Sequence, residues 1–271
     1  MGHHSTQNHE IGRRLFNSLR KSGPLGTAKS ACSVLQNRFG ETPGFRRFFS
    51  TIERFLSSIQ HYLDSSFDRK YGTDTAGVIF LSKLRIESKN VRDGTYYEPM
   101  STRAFKQIMN QLNINFSEFE FIDFGSGKGR ALLMASHYGF RKVTGVEFAQ
   151  DLHLISSRNV AIYKRHIKEP RNIVTICADV VDFPLPKVPV VLFFYSPFRG
   201  KVMEKVLNNV SASFSINPRK ILLLFYGYNP HTIELFKALK FHCRELKLHA
   251  DWSRFIQYRI FIFTSQEKRS S

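Results

Sequence analysis

Between Phe119 and Thr264, short and almost wholly apolar runs alternate with stretches of helical periodicity, and few architectures accept that pattern. The strand-like runs are Phe119–Phe124, Lys142–Glu147, Ile173–Ala178, Val188–Tyr195, Lys220–Tyr226, Phe241–His249 and Arg254–Thr264. Helical runs fill four of the gaps between them: Arg130–Tyr138 with Gly139 as a stop, Gln150–Arg165, Lys201–Phe214 and about His231–Leu239. Lys201–Phe214 carries Val202, Val206, Val210 and Phe214 on one stripe. Strands this apolar have no face to show to water, so helices must cover both faces of a largely parallel sheet. The last two strand runs are joined only by Ala250–Ser253, which makes the final strand antiparallel to its neighbours. The expected fold is α/β: a doubly wound, mostly parallel seven-stranded sheet with an antiparallel last strand, preceded by a helical N-terminal extension.

The chain upstream divides on composition. Residues 1–43 form a basic, partly flexible extension, with no acidic residue from Ile11 to Gly40 but Arg13, Arg14, Arg20, Lys21, Lys29 and Arg38. An acid-free, Arg-rich start also describes an organellar transit peptide, but nothing marks a cleavage site, and a basic surface helix is the preferred reading. Residues 44–118 are a helical and connecting region. Phe48, Ile52, Phe55, Ile59 and Leu63 recur at helical spacing. After Tyr96-Tyr97-Glu98-Pro99, Ser101 stands as N-cap of a helix whose apolar face is Phe105, Ile108, Met109 and Leu112. Residues 119–264 are the core and 265–271 a tail.

Charge and cysteine usage narrow the setting. Lys and Arg number 40 against 22 Asp and Glu, a net charge of +18, and such a surface attracts nucleic acid, anionic lipid or an acidic protein. The three cysteines, Cys32, Cys177 and Cys243, are widely spaced, with no C-x-x-C pair. This argues against a disulfide framework or a zinc site and for a reducing compartment, the cytoplasm. No apolar run is long enough for a transmembrane helix.

The residues that carry chemistry sit at the ends of the strand runs. The first run leads into Asp123-Phe124-Gly125-Ser126-Gly127-Lys128-Gly129 and then a helix. Glycine at alternate positions permits positive φ and lets a ligand approach the backbone, although a tight turn with no ligand uses the same residues. The loop is neither a P-loop nor a dinucleotide fingerprint, whose spacings differ. The second run ends at Glu147, placed to accept both ribose hydroxyls of a nucleotide. The third ends at Asp179, placed to accept from an adenine amino group, with Asp182 as a competitor. His137, His153 and His166 are scattered and read as surface residues, and no metal is required.

Asp123-Phe-Gly-Ser-Gly-Lys-Gly129, Glu147 and Asp179, in that order, resemble the class I (seven-stranded Rossmann-like) S-adenosylmethionine-dependent methyltransferases. The resemblance implies that Asp123, Gly125, Ser126, Gly127 and Gly129 wrap the methionine part of S-adenosylmethionine, that Glu147 holds the ribose and that Asp179 holds the adenine. With Tyr97-Glu98-Pro99 upstream, the motif is similar in style to non-SET protein-lysine methyltransferases and to bacterial methyltransferases of unknown acceptor. The fourth run ends in Tyr195-Ser196-Pro197-Phe198, a partial match to the N-P-P-[YF] of methyltransferases acting on amino groups, in which Ser196 would stand for Asn. Tyr226–Asn229 brings further aromatic and polar groups to the same sheet edge, where open α/β sheets bind ligands.

The resemblance implies N-methylation of a protein side chain of lysine type. Tyr195, Ser196 and Phe198 would build the acceptor pocket, with Glu98 helping to handle the amine. The partner is then a protein or nucleic-acid methyl acceptor. A nucleic-acid amino-group methyltransferase is the alternative within the class. Outside it stands a silent RNA- or protein-binding module, which the intact glycine loop and Glu147 disfavour, and a dehydrogenase, which the loop spacing disfavours. Residues 1–43 have few apolar positions, so a chain starting near Gly44 should fold and keep its affinity for the cofactor, as calorimetry would show. Aggregation of that chain, or loss of the cofactor, would move the boundary upstream.

Overall fold

Glu120–Phe124 (β1), Lys142–Glu147 (β2), Ile173–Cys177 (β3), Val190–Tyr195 (β4), Ile221–Gly227 (β5), His242–Leu246 (β6) and Arg259–Thr264 (β7) pair into one sheet of order β3-β2-β1-β4-β5-β7-β6. All strands share one sense except β7, which runs antiparallel to β5 and β6. This is the doubly wound, mostly parallel seven-stranded sheet with an antiparallel last strand that the sequence leads one to expect. The structure is a computed structural model that describes residues 65–86, 88, 90–167, 172–227, 229–246 and 259–265. These lie in one unit, Asp64–Lys247 with Gln257–Ser271. The basic extension, the helix expected over most of Gly44–Ser66, the Ala250–Ser253 connection and nearly all of the tail fall outside the described residues. Among the described residues, no helix is long and apolar enough to cross a membrane.

Period-2 alternation sorts the strand side chains between two helical layers. Ile122, Phe124, Val146, Leu192, Phe194, Leu223, Phe225 and Phe263 face one side. There they meet Val202, Met203, Val206 and Val210 of Gly200–Ile216 and Phe236 of Pro230–Ala238. In chain order the helices are Thr102–Asn110 (α1), Arg130–Ala135 (α2), Gln150–Tyr163 (α3), Gly200–Ile216 (α4) and Pro230–Ala238 (α5). On the opposite face, Phe105 of α1 packs edge-on against Phe121 and Phe193, with ring centroids 6.1 and 5.7 Å apart. Asp123 and Tyr195 follow Phe121 and Phe193 by two residues each, so they open on this second face at the carboxyl ends of β1 and β4. The strand order reverses between these two strands, and open sheets bind ligands at that point.

Capping chemistry sets the helix ends. Ser101 Oγ accepts from Ala104 N–H as expected, and Phe105, Ile108, Met109 and Leu112 are buried. Asn229 caps α5 in the same way, with Pro230 in the first turn. The helical run expected to Tyr138 stops as an α-helix at Ala135. Its last turn tightens to 3-10 over Ser136–Tyr138, ahead of Gly139 in the left-handed conformation.

The connecting region does more than connect. Residues 65–71 are helical, and Asp68 accepts from Thr73 Oγ1 (2.7 Å), Thr75 N–H (2.9 Å), Thr75 Oγ1 (2.7 Å) and Ala76 N–H (2.7 Å). Thr75 Oγ1 in turn accepts from Nε of Arg130, which is 2% exposed at the start of α2, and the Arg130 guanidinium lies 3.6 Å from Asp68. Asn159 of α3 bridges Asp74 and the Lys128 carbonyl. The 68–76 segment is therefore fastened to the glycine loop and α2 by a charged, largely buried network. Removing one member strands the other charge, so Asp68→Ala should cost about 3 kcal/mol in denaturant unfolding. A loss near zero would mean that other contacts hold this segment.

Candidate active site

The loop after β1 turns on three residues that only glycine suits, Gly125, Gly127 and Gly129, at φ of 79°, 53° and 86°. A Cβ on Gly125 would collide with the ring of Pro197, and one on Gly127 with the ring of Tyr97. One on Gly129 would meet the hydroxyl of Ser156 on α3. Gly125 and Gly127 line the pocket that follows, whereas Gly129 does not. Gly129 is the N-cap of α2 and lets that helix pack on α3, so the cofactor role expected of it is a packing role in this geometry.

Asp123 and Glu147 are 3% and 4% exposed. Glu147 Oε2 accepts from Gly127 N–H (2.8 Å) and Oε1 from Ala149 N–H (2.9 Å), so this carboxylate braces the loop as well as facing the pocket. Burial raises the Glu147 pKa against those N–H bonds. Burial, and then the charge of Glu147, pushes Asp123 up to about 8. Ser126 Oγ is buried and has no hydrogen-bond partner among the described residues. Asp179 Oδ2 accepts from Ser88 Oγ (2.6 Å) and Asn90 Nδ2 (2.7 Å), and Oδ1 from Val181 N–H (3.1 Å). Burial works upward on Asp179, yet those bonds outweigh it and its pKa falls below the ordinary value. Asp182, the competing acid, does not line the pocket.

At the other end, Tyr195 stacks on Tyr226 with centroids 5.2 Å apart, and its hydroxyl faces Glu98 Oε2 at 3.4 Å. Ser196 takes a positive φ of 43°, and its carbonyl accepts from Thr95 Oγ1 (2.7 Å). It does not line the pocket, so the stand-in role for Asn is not what this strand end provides. Phe198 lines the pocket but also belongs to the core beside α4, and it bridges to Gly94. Truncating Phe198 would therefore disturb packing as well as the pocket.

Asp123, Gly125, Ser126, Gly127, Glu147, Asp179, Tyr195, Phe198 and Glu98 share one cavity. Its volume, with the space open to solvent at its mouth included, is about 840 Å³. Leu81, Asn90, Met100 and the Gly94–Glu98 stretch form one wall. Ile79 pairs with Tyr97, Thr95 N–H donates to Pro197 O, and Asp93 accepts from Val202 N–H at the start of α4. Tyr97 donates its hydroxyl to the Thr75 carbonyl (2.6 Å). The Lys128 ammonium, held by Asp74 and the Ala76 carbonyl, lies 5.7 Å from the Tyr97 ring centre. Sequence reasoning did not single out Asp68, Thr75, Ser88, Asn90 or Arg130. The Gly72-Thr73-Asp74-Thr75 run is a turn signal, but nothing in it names its partners.

No family model and no curated protein matches the chain. Solved structures do. Magnesium protoporphyrin IX methyltransferase from Synechocystis PCC 6803, with bound SAM, has TM-score 0.44 and 14% identity over 78% of this chain and 97% of that one. Geranyl diphosphate C-methyltransferase from Streptomyces coelicolor has TM-score 0.43 and 11% identity over 60% and 77%. A SAM-dependent methyltransferase from Aquifex aeolicus has TM-score 0.43 and 13% identity over 59% and 88%. Likenesses of this degree carry no argument about cofactor or acceptor.

The carboxyl of Asp123 binds its proton more tightly in the folded chain than in the unfolded one, whose value is near 3.8. Its protonated form therefore favours folding, and stability is lost as pH rises between those values. Asp123→Asn keeps the shape without the ionisation. The ligand-free variant should hold its melting temperature between about pH 5 and about pH 9 better than the unaltered protein. Parallel curves for the two would show that Asp123 is not the titrating group.

Proposed function

We propose that the protein is an S-adenosylmethionine-dependent methyltransferase acting on an amine of lysine type in a protein. The observation that carries this reading is a single cavity shared by the glycine loop, the acids ending β1, β2 and β3, and an aromatic end with Tyr195 and Glu98. The residues present fit the cofactor. Two positive-φ glycines leave backbone bare along the cavity wall, and the orphaned Ser126 hydroxyl sits beside it. Asp123, Gly125, Ser126 and Gly127 would hold the methionine part, Glu147 the ribose and Asp179 the adenine end. When bound, the cofactor supplies an electrophilic sulfonium methyl group.

The chain's own task is alignment and water exclusion. Tyr97, Phe193, Tyr195 and Phe198 line the acceptor end with aromatic faces, which suit an alkylammonium through cation–π attraction. Glu98 Oε2, opposite the Tyr195 hydroxyl, would receive the ammonium, take up its proton and leave the nitrogen lone pair directed by Tyr195. A carboxylate here favours a charged amine over the neutral amino group of a base. The net charge of +18 favours an acceptor protein with an acidic surface around its lysine.

Labelled methyl groups from S-adenosylmethionine should enter cell extract in a form that protease removes and nuclease leaves. Nuclease-sensitive label would make the acceptor a nucleic acid, and no label despite cofactor binding would make the chain a binding module. With the acceptor in hand, Tyr195→Ala and Glu98→Gln should each lower kcat/KM about a hundredfold while cofactor affinity changes less than about twofold. Parallel loss of cofactor affinity would make both residues structural.

A further inference from the structure

We infer that Asn90, a residue of the cavity wall outside the glycine-loop, ribose and adenine motifs, reads the base of the bound nucleoside, and that Asp179 is the positioning residue that aims it. This rests on the cofactor reading above. The expected division of labour gave the adenine amino group to Asp179 directly. The observed contacts leave that carboxylate little capacity, because Ser88 Oγ and Asn90 Nδ2 both donate to Oδ2 while Val181 N–H donates to Oδ1.

Those bonds fix the Asn90 amide. Nδ2 must face the carboxylate, since the alternative orientation would set Oδ1 against Asp179 Oδ2, acceptor on acceptor. The backbone is fixed as well: Asn90 N–H donates to Ser88 Oγ (3.0 Å), and the Asn90 carbonyl accepts from Asp93 N–H (3.0 Å). Oδ1 then has no hydrogen-bond partner among the described residues, on a side chain that lines the cavity. With the hydrogen anti to Oδ1 given to Asp179, the second Nδ2 hydrogen is the one beside Oδ1.

Oδ1 and that hydrogen form an acceptor–donor pair that matches an adenine edge, with its amino group donating and the neighbouring ring nitrogen accepting. Leu81, Phe148 and Val180 supply apolar wall at the same end of the cavity, suited to a flat ring. The ligand class is therefore an adenine nucleoside. A 6-oxo purine would set its carbonyl against Oδ1 and its ring N–H against the amide hydrogen. Discrimination of this kind is lost with the Asn90 side chain even where Asp179 is intact.

The test is calorimetric binding of S-adenosylhomocysteine and of its 6-oxo counterpart, S-inosylhomocysteine, to the full chain. The unaltered protein should prefer the amino form by roughly ten- to a hundredfold. In Asn90→Ala the two affinities should converge to within about twofold, through loss of the amino form's advantage. Asn90 is half-buried, so the variant should stay folded, and its residual binding of the 6-oxo compound verifies that. Asp179→Ala should reduce the preference while leaving Asn90 in place. Equal binding of both compounds by the unaltered protein overturns the inference. So does a preference that survives Asn90→Ala and vanishes only in Asp179→Ala. An unaltered protein that binds neither compound overturns the cofactor reading, and this inference with it.

Discussion

A sheet buried on both faces leaves polar chemistry only at the ends of its strands. The side chains of β1, β4 and β5 are buried almost throughout, and the helices on either face take up their apolar surface. A carboxylate in the middle of such a strand would be desolvated with nothing to pair it. At the strand ends the first turns of loop and helix supply free N–H groups, and Asp123, Glu147 and Asp179 collect there. Glu147 shows the consequence most directly. It takes the amides of Gly127 and Ala149, and so ties the end of β2 to the loop that follows β1. The shape of the loop and the position of the cavity depend on that bond between neighbouring strand ends.

The arm of residues 68–98 completes what the sheet edge begins. A bare edge would leave the glycine loop open to water. Here Thr75 and Asp68 hold Arg130, Asp74 holds Lys128, and Tyr97 covers Gly127. Asp93 caps α4, and Thr95 ties the arm to the strand end at Ser196 and Pro197. Each of these contacts joins an upstream residue to the first or fourth strand's loop, so the cavity has two independent fastenings. The arm also brings Ser88 and Asn90 to Asp179, where both donate to Oδ2 and hold the carboxylate in place.

Much of this was legible in the sequence, and the reasons are local. The seven strand runs lie within a few residues of the observed strands, and for the most apolar of them, at β4 and β5, the reason is that such a run bounded by turn formers has one comfortable conformation. Ser101 declared its helix, and the left-handed glycines of the loop declared a turn that side chains would obstruct. Where the reading went astray, packing had decided the matter. Gly129 shares the motif of Gly125 and Gly127 but faces Ser156 instead of the cavity. Ser196 follows Tyr195 in sequence, yet the chain turns there and points elsewhere.

By itself, then, the sequence determined the order of strands and helices, the reversal of the last strand and the identity of the acids at the ends of the first three strands. Each of these depends on periodicity or turn chemistry within about ten residues. Tertiary structure alone decided which residues meet across the cavity. Thr75 and Arg130 are 55 positions apart, Ser88 and Asp179 91, and Glu98 and Tyr195 97. No local propensity encodes such pairings, because a hydrogen bond between distant residues forms only after the sheet has brought their strands together.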